Sequence, residues 1–326
     1  MGRPFAALLL FVLTAGSAAA GTGMAAAGIP LSARQQASGG IYGDPDVLGV
    51  AANPAQLSTQ LRRLEVGVVD QYLFGSAENV LGLGIGGVTG SADAWAWGAA
   101  AVVSQVSTRG FRIVDEIGDE TGERVEPVAR RADLAVSCQR GRLAGGIAFG
   151  AAAESYGSLG DGGGSGPSMI QAAAGMLVAF DTWHAGAAIR LGLSDTPRGA
   201  GGADSVNLGG AADAGGLRLT GSLVVPLAGP AGPDAQAGVR WMVSGAFDLR
   251  AAYATAFTKG VGAAAGSSVR AGVSFRSDKG MGMDYTLVVP LEGGLGVTNL
   301  IGARWTFGDR SRRTPPQLQR QPQFGS

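Results

Sequence analysis

The chain has 326 residues, of which 57 are glycine, while only 15% are charged and 6% are aromatic. Glycine is more than twice as frequent as in ordinary soluble domains and 46% of the residues are apolar, which argues against both a typical soluble enzyme and a disordered chain. The 25 basic and 25 acidic residues cancel, so we expect no nucleic-acid partner, and the single Cys138 excludes an intramolecular disulfide and a multi-thiolate metal site.

The N-terminus has the features of a secretory signal peptide. Arg3 is followed by an apolar run over 5–14 and by three alanines at 18–20, which fit an A-x-A cleavage pattern. The run is shorter than the ~20 apolar residues that a membrane-spanning helix needs. We therefore predict that residues 1–20 are cleaved during export from the bacterial cytoplasm.

From residue 64 onward the sequence alternates with a period of two. Between Phe247 and Thr258, for example, the larger apolar residues hold the odd positions, and Asp248 and Arg250 hold two of the even ones. This period indicates strands rather than helices. The predicted strands are 64–73, 79–88, 94–106, 128–138, 142–154, 168–180, 183–194, 204–212, 215–226, 234–243, 247–258, 266–276, 280–289 and 295–307.

Short and long connectors alternate between these fourteen strands. The short ones are 139–141, 181–182, 213–214, 244–246 and 277–279, and the long ones are 107–127, 155–167, 195–203, 227–235, 259–265 and 290–294. Outer-membrane barrels have tight periplasmic turns and longer outer loops. The sequence therefore predicts an all-β fold, a transmembrane antiparallel β-barrel of about 14 strands over residues 64–308, located in the bacterial outer membrane.

The two faces of the strands differ in polarity. The apolar face, expected to contact outer-membrane lipids, includes Trp183, Ile189, Leu191, Leu217, Leu219, Leu223, Val225, Val239, Trp241, Val243, Val297, Ile301, Ala303, Trp305 and Phe307. The other face carries Arg190, Arg218, Arg240, Asp248, Arg250, Arg270, Asp284 and Arg304. Because charge is costly toward lipid, these eight residues are predicted to line the lumen. There the arginines either bind carboxylates or phosphates of a ligand, or pair with the aspartates to stiffen the wall.

Two end segments lie outside the predicted barrel strands. Residues 21–63 are rich in alanine and glycine and form a predicted periplasmic or plug-like segment. The tail 309–326, with four arginines, three prolines and four glutamines, is predicted to be disordered in the periplasm.

Three phrases resemble the FadL-like superfamily of outer-membrane barrels and, within it, the PorV/PorQ group. DVLGVAANPAQL at 46–57 resembles its N-terminal signature, AGVRWMVSGAFDLRAAY at 237–253 an internal segment, and MDYTLVVPLEGGLGVTNLIGARWTFG at 283–308 its closing segment. The resemblance implies a 14-stranded barrel and a plug motif at Asn53, Pro54 and Ala55. Catalytic residues, cofactors and metals are not implied.

Two non-enzymatic functions follow from this resemblance. In the first, which the closing segment favours, a PorV-like barrel docks secretion machinery or cargo proteins through its outer loops. In the alternative, a FadL-like channel takes up hydrophobic or amphipathic small molecules past a plug. A second alternative, a soluble periplasmic β-rich binding protein, is disfavoured because it would have no reason to alternate its connector lengths.

Two motifs carry weaker signals. Residues 82–87 match G-x-G-x-x-G, but a strand period continues after them where a dinucleotide site needs a helix. His184 is the only histidine, so any Ser-His-Asp catalysis would require it, and no partner stands at a suggestive spacing. A glycine-rich strand and a polar lumen residue are the favoured interpretations.

Overall fold

The structure, a computed structural model, describes part of the chain in detail. The described residues are 30–40, 42, 46–50, 52–60, 64–73, 78–90, 94–108, 111–114, 120–125, 127–159, 162–194, 204–227, 232–256, 267–291 and 296–307. The predicted signal peptide and the predicted C-terminal tail lie outside them, as do the long connectors 195–203 and 259–265.

Sixteen β-strands make up most of the described residues. They are β1 Leu64–Leu73, β2 Glu78–Gly90, β3 Ala96–Thr108, β4 Phe111–Val114, β5 Glu120–Val125, β6 Pro127–Arg140, β7 Leu143–Leu159, β8 Gly162–Ala179, β9 Trp183–Ser194, β10 Ser205–Ala214, β11 Leu217–Pro226, β12 Asp234–Met242, β13 Phe247–Ala256, β14 Ser268–Arg276, β15 Met281–Pro290 and β16 Thr298–Phe307. Fourteen of them form a closed barrel in which β3 pairs with β6 and β16 closes onto β1. β4 and β5 form a separate two-stranded sheet.

The closed barrel confirms the predicted fold class. All ladders between neighbouring barrel strands are antiparallel, and each of the fourteen predicted segments is one barrel strand. The period-two pattern was sufficient to predict these strands, because a barrel exposes one face of every strand to the lumen and the other to the outside.

Three connectors differ from their predicted form. The segment 155–167 is mostly strand: β7 continues to Leu159 and β8 begins at Gly162. The two strands stay paired here through two register shifts, because a glycine-rich backbone can still form the ladder. The segment 107–127 contains the β4–β5 hairpin. The turn predicted at 213–214 lies at Gly215 and Gly216, which have φ of 56° and 89° and so favour a two-residue hairpin turn.

The outer surface of the barrel is apolar. Leu134, Phe149, Ile170 and Leu193 face outward and are 58–70% exposed. β10–β16 have nine or ten residues each, which is enough for a tilted strand to cross a membrane. β6, β7 and β8 have 14, 17 and 18 residues, so the wall is taller on this side, at the end that carries the long connectors.

The N-terminal segment, by which we mean the described residues between 30 and 60, lies inside the barrel. It contains the helices Ala33–Ala37 and Gln56–Gln60 and a single turn of 3₁₀-helix, Val47–Gly49. These elements are too short to be stable alone, and they are held because the wall surrounds them: Tyr42 and Leu57 are completely buried. None of the helices in the described residues is long and apolar enough to cross a membrane.

Candidate functional site in the barrel lumen

One side of the lumen, formed by β9–β15, holds the N-terminal segment through polar contacts. The Thr286 hydroxyl donates to the Ala33 carbonyl over 2.8 Å, and the Ser222 hydroxyl donates to the Gly39 carbonyl over 3.2 Å. Further contacts of this kind join Thr220 to Ser38, Arg270 to Gln36, and Arg34 to Asp284. We call this side the polar wall. It satisfies backbone carbonyls of the segment that would otherwise be buried without partners.

The Asn-Pro-Ala motif forms a tight turn of the segment against β7 and β8. The side chain of Asn53 accepts a hydrogen bond from the Ala55 amide over 3.1 Å and donates one to the Tyr42 hydroxyl over 3.2 Å. Asn53 and Ala55 are completely buried. Gly175 makes this close approach possible, because a Cβ at that position would overlap Oδ1 of Asn53.

Tyr42 links the motif to the polar wall. Its hydroxyl donates to the Asn207 carbonyl over 3.3 Å, and its own carbonyl lies 2.9 Å from Nε2 of His184. Burial is the main cause that raises the pKa of the Tyr42 hydroxyl, so it remains a neutral donor. His184 is thus a polar lumen residue that contacts the segment.

A charged network lies on the polar wall and the adjoining strand β16, near the short-turn end of the barrel. Asp248 is 2.8 Å from Arg250, 3.2 Å from Arg240 and 3.6 Å from Arg276. Asp284 is the second centre, 3.4 Å from both Arg250 and Arg304 and 3.6 Å from Arg34 of the segment. Each aspartate is 4–5% exposed. Five of the eight predicted lumen residues therefore meet in a single network, and this network ties the segment to the wall.

The other three predicted lumen residues lie elsewhere. Arg190 is near the ion pair of Arg131 and Asp133, whose side chains are 2.6 Å apart on the inner face of β6. Arg270 contacts Gln236 of β12 and the segment. Arg218 pairs with Asp213 over 2.7 Å at a partly exposed hairpin end. The structure does not bring all eight residues into one ligand site.

An acidic cluster lies where the segment meets β1. Asp46 accepts hydrogen bonds from the Ser32 hydroxyl over 2.6 Å and from the Gly49 amide over 3.1 Å, and Glu65 accepts one from the Val47 amide over 2.9 Å. Burial, and next the Glu65 carboxylate, raise the pKa of Asp46 from 3.8 to about 6. A cavity of about 10 Å³, close to the space of one water molecule, lies between Asp46, Glu65 and Asp284.

The opposite side of the lumen carries the main apolar cluster of the interior. One buried cluster joins the inner faces of β1, β2, β3, β6 and β16 to apolar side chains of the segment. On the barrel side it includes Val69, Leu73, Val80, Val102, Val106, Ala129, Ala135 and Leu300, and on the segment side Leu31, Val47, Leu48, Val50 and Leu57. We call these barrel residues the apolar wall. Gly67, Gly82 and Gly84 make room for the segment here, since a Cβ at Gly84 would be 3.1 Å from Leu48 and Val47.

Several residues of this arrangement were not identified from the sequence. Arg34, Tyr42 and Asp46 fall in a stretch that carries no strand period, and their partners are distant in the chain. Glu65 and Gln71 do follow the alternation of β1, so their inward orientation could have been predicted from it.

The fold resembles solved outer-membrane channels. A deltaS2 mutant of the TodX monoaromatic hydrocarbon channel is 15% identical, with a TM-score of 0.59 over 85% of this chain and 99% of that chain. The toluene transporter TbuX of Ralstonia pickettii is 14% identical, with a TM-score of 0.58 over 89% and 99%. The toluene transporter TodX of P. putida is 14% identical, with a TM-score of 0.57 over 90% and 100%. No protein-family model and no curated protein sequence matches the chain.

Proposed function

We propose that the protein is a non-enzymatic channel that admits apolar small molecules across the bacterial outer membrane. The observation that carries this proposal is the apolar wall, which extends along one side of the lumen in a 14-stranded barrel of the same fold as two toluene transporters. An apolar molecule can replace the contacts between this wall and the segment without breaking hydrogen bonds, whereas the polar wall offers no such path.

The proposed location is the outer membrane, reached after cleavage of residues 1–20. The outward-facing apolar side chains would contact membrane lipids, and the long connectors would face outside. An exposed apolar surface of this extent disfavours the soluble binding protein that was the second alternative.

The channel function is preferred to the PorV-like docking function that the sequence favoured. The solved structures described above are hydrocarbon channels, and they support the alternative function. None of the described contacts specifically favours a secretion partner.

For the N-terminal segment and the charged lumen residues we propose a gate. The segment fills the lumen as a plug, with the Asn53-Pro54-Ala55 turn at its core, and the network around Asp248 and Asp284 holds it in place. The arginines are largely occupied by aspartates, so we assign them to this anchoring and not to recognition of an anionic ligand.

Uptake of radiolabelled toluene by cells with and without the protein tests this function. A Cβ at Gly302 would lie 3.7 Å from Cβ of Ala33, within the range of a disulfide. In a Cys138→Ser background, the double variant Ala33→Cys and Gly302→Cys should admit toluene when reduced and lose uptake when oxidised. Gly302→Cys alone is the matched control, and its toluene uptake should be the same under reducing and oxidising conditions. A wild-type rate no higher than that of cells lacking the protein would refute the channel.

A further inference from the structure

A polar side chain is buried in the middle of the apolar wall. Gln71 lies on the inner face of β1 between Val69 and Leu73, and it is 2% exposed. Its cross-strand neighbours on the same face are Val80 of β2 and Leu300 of β16, and both are completely buried. On the barrel wall, the carboxamide is therefore flanked by hydrocarbon side chains.

The carboxamide oxygen of Gln71 is the second unusual feature of this position. Within the described part of the chain, Oε1 has no hydrogen-bond partner. A buried acceptor without a partner destabilises the folded state, and a leucine of similar size would avoid this cost. Gln171 also has an Oε1 without a partner among the described residues, but its amide donates to Asp133 over 2.6 Å in a polar group, whereas Gln71 lies among apolar neighbours. A polar group of a ligand that binds this carboxamide from the lumen would explain why the apolar wall contains a glutamine.

We propose that Gln71 is a specificity-determining residue of the channel, and that its carboxamide hydrogen-bonds with one hydroxyl group of an otherwise apolar, uncharged ligand. This inference rests on the proposed function and deepens it, since it names hydroxylated hydrocarbons, such as alkyl phenols, as the substrate class. A carboxamide both accepts and donates, and so does a hydroxyl group, so the pair is satisfied in either orientation of the amide.

The charges around the apolar wall favour a neutral ligand. Glu65 is the charged inward-facing residue of β1, and with Asp46 it makes the short-turn end of this wall acidic. On β6, Arg131 and Asp133 lie between Ala129 and Ala135 of the wall and pair with each other over 2.6 Å. The arginine network belongs to β12–β16 and to Arg34, and its guanidinium groups already contact Asp248 and Asp284. A carboxylate on the ligand would therefore meet repulsion and desolvation along the apolar wall, whereas a hydroxyl group would not.

Toluene and p-cresol are a matched pair of probes, because they differ by a single hydroxyl group. Initial uptake rates are measured with each probe in cells that produce the wild-type protein, Gln71→Leu or Gln139→Leu. Gln139→Leu is the control, since it is the same substitution at the short-turn end of β6. The amide of Gln139 donates a hydrogen bond to the Gly141 carbonyl. Unfolding of the purified protein, followed by heat-modifiable gel mobility with and without each probe, gives a second measurement that does not depend on transport.

We expect Gln71→Leu to lower the ratio of p-cresol to toluene uptake by about tenfold, the effect of losing one buried hydrogen bond. Gln139→Leu should leave the ratio unchanged. We also expect p-cresol to raise the unfolding temperature of the wild-type protein and of Gln139→Leu more than that of Gln71→Leu. Without a probe, Gln71→Leu should be at least as stable as the wild type.

The outcomes separate this inference from the channel function. Toluene uptake with a ratio that Gln71→Leu does not change would overturn the role of Gln71 and leave the channel intact, and would indicate that the carboxamide holds only a buried water. Failure of both probes to enter, together with p-cresol stabilisation that Gln71→Leu abolishes, would refute the channel and support the binding site.

Discussion

Gly175 provides a test of whether the Asn-Pro-Ala turn closes the lumen. A Cβ at this position would overlap Oδ1 of Asn53, so Gly175→Ala should displace the turn from β8. The displacement would break the contacts of Asn53 with Tyr42 and Ala55, at 3.2 Å and 3.1 Å. At about 0.5–1.5 kcal/mol for each hydrogen bond, the closed arrangement should lose about 1–3 kcal/mol.

The assay is conductance of the refolded barrel in a planar bilayer. A loss of 1.4 kcal/mol corresponds to a factor of ten, so the open fraction of Gly175→Ala should rise by about one to two orders of magnitude. Gly221→Ala is the matched control, since its Cβ would be 3.9 Å from the nearest atom, the Gln236 carbonyl oxygen. Equal conductance of the two variants, with heat-modifiable mobility showing that both are folded, would refute closure of the lumen by this turn.

Three further predictions concern assembly, pH and the charged network. Ile301→Arg and Leu223→Arg place a charge on the outer surface at a cost of about 2–4 kcal/mol, so the folded, heat-modifiable fraction should fall far more than in Arg270→Leu; equal folding of all three would mean that the faces are reversed. The pKa of Asp46 is raised from 3.8 to about 6, so the folded state binds the proton of this carboxyl more tightly than the unfolded state does. The free energy of unfolding should therefore decline by about 3 kcal/mol as the pH rises from about 4 to 6, and urea unfolding of Asp46→Asn should lack this decline. Asp284→Asn removes the carboxylate shared by Arg34, Arg250 and Arg304; urea unfolding should show a loss of about 3–5 kcal/mol, and a loss below 1 kcal/mol would contradict the assignment of this network to anchoring.

The strands of the barrel could be predicted from the sequence because each carries its own evidence. A run such as Phe247–Ala256 shows which residues face outward through local alternation alone, and the ladder then follows from the order of the strands. Asp70 is an exception to the rule that charges face inward. It lies on the outer face of β1, where its carboxylate accepts a hydrogen bond from Asn79 over 2.6 Å, and no pattern in the sequence indicates this pairing.

The interior could be predicted only in part. The inward orientation of Asp248 and Asp284 follows from alternation, but the contact of Asp284 with Arg34 joins residues 250 positions apart, and the segment around Arg34 has no period that would place it. The same holds for Thr286 and Ala33. The resemblance of residues 46–57 to a family signature pointed to a plug, whereas the division of the lumen into a polar and an apolar wall required the three-dimensional arrangement.

Photolabelling tests most directly whether apolar molecules move along the apolar wall. The probe is 3-trifluoromethyl-3-phenyldiazirine, a small uncharged aromatic compound, applied to the protein in outer membranes and mapped by mass spectrometry. We expect labelling of inward-facing residues of β1–β3, such as Val69, Val80 and Val102, which excess toluene suppresses, while labelling of outward-facing Leu134 and Phe149 persists. Labelling confined to the outer surface, or lumen labelling that toluene does not affect, would contradict the channel.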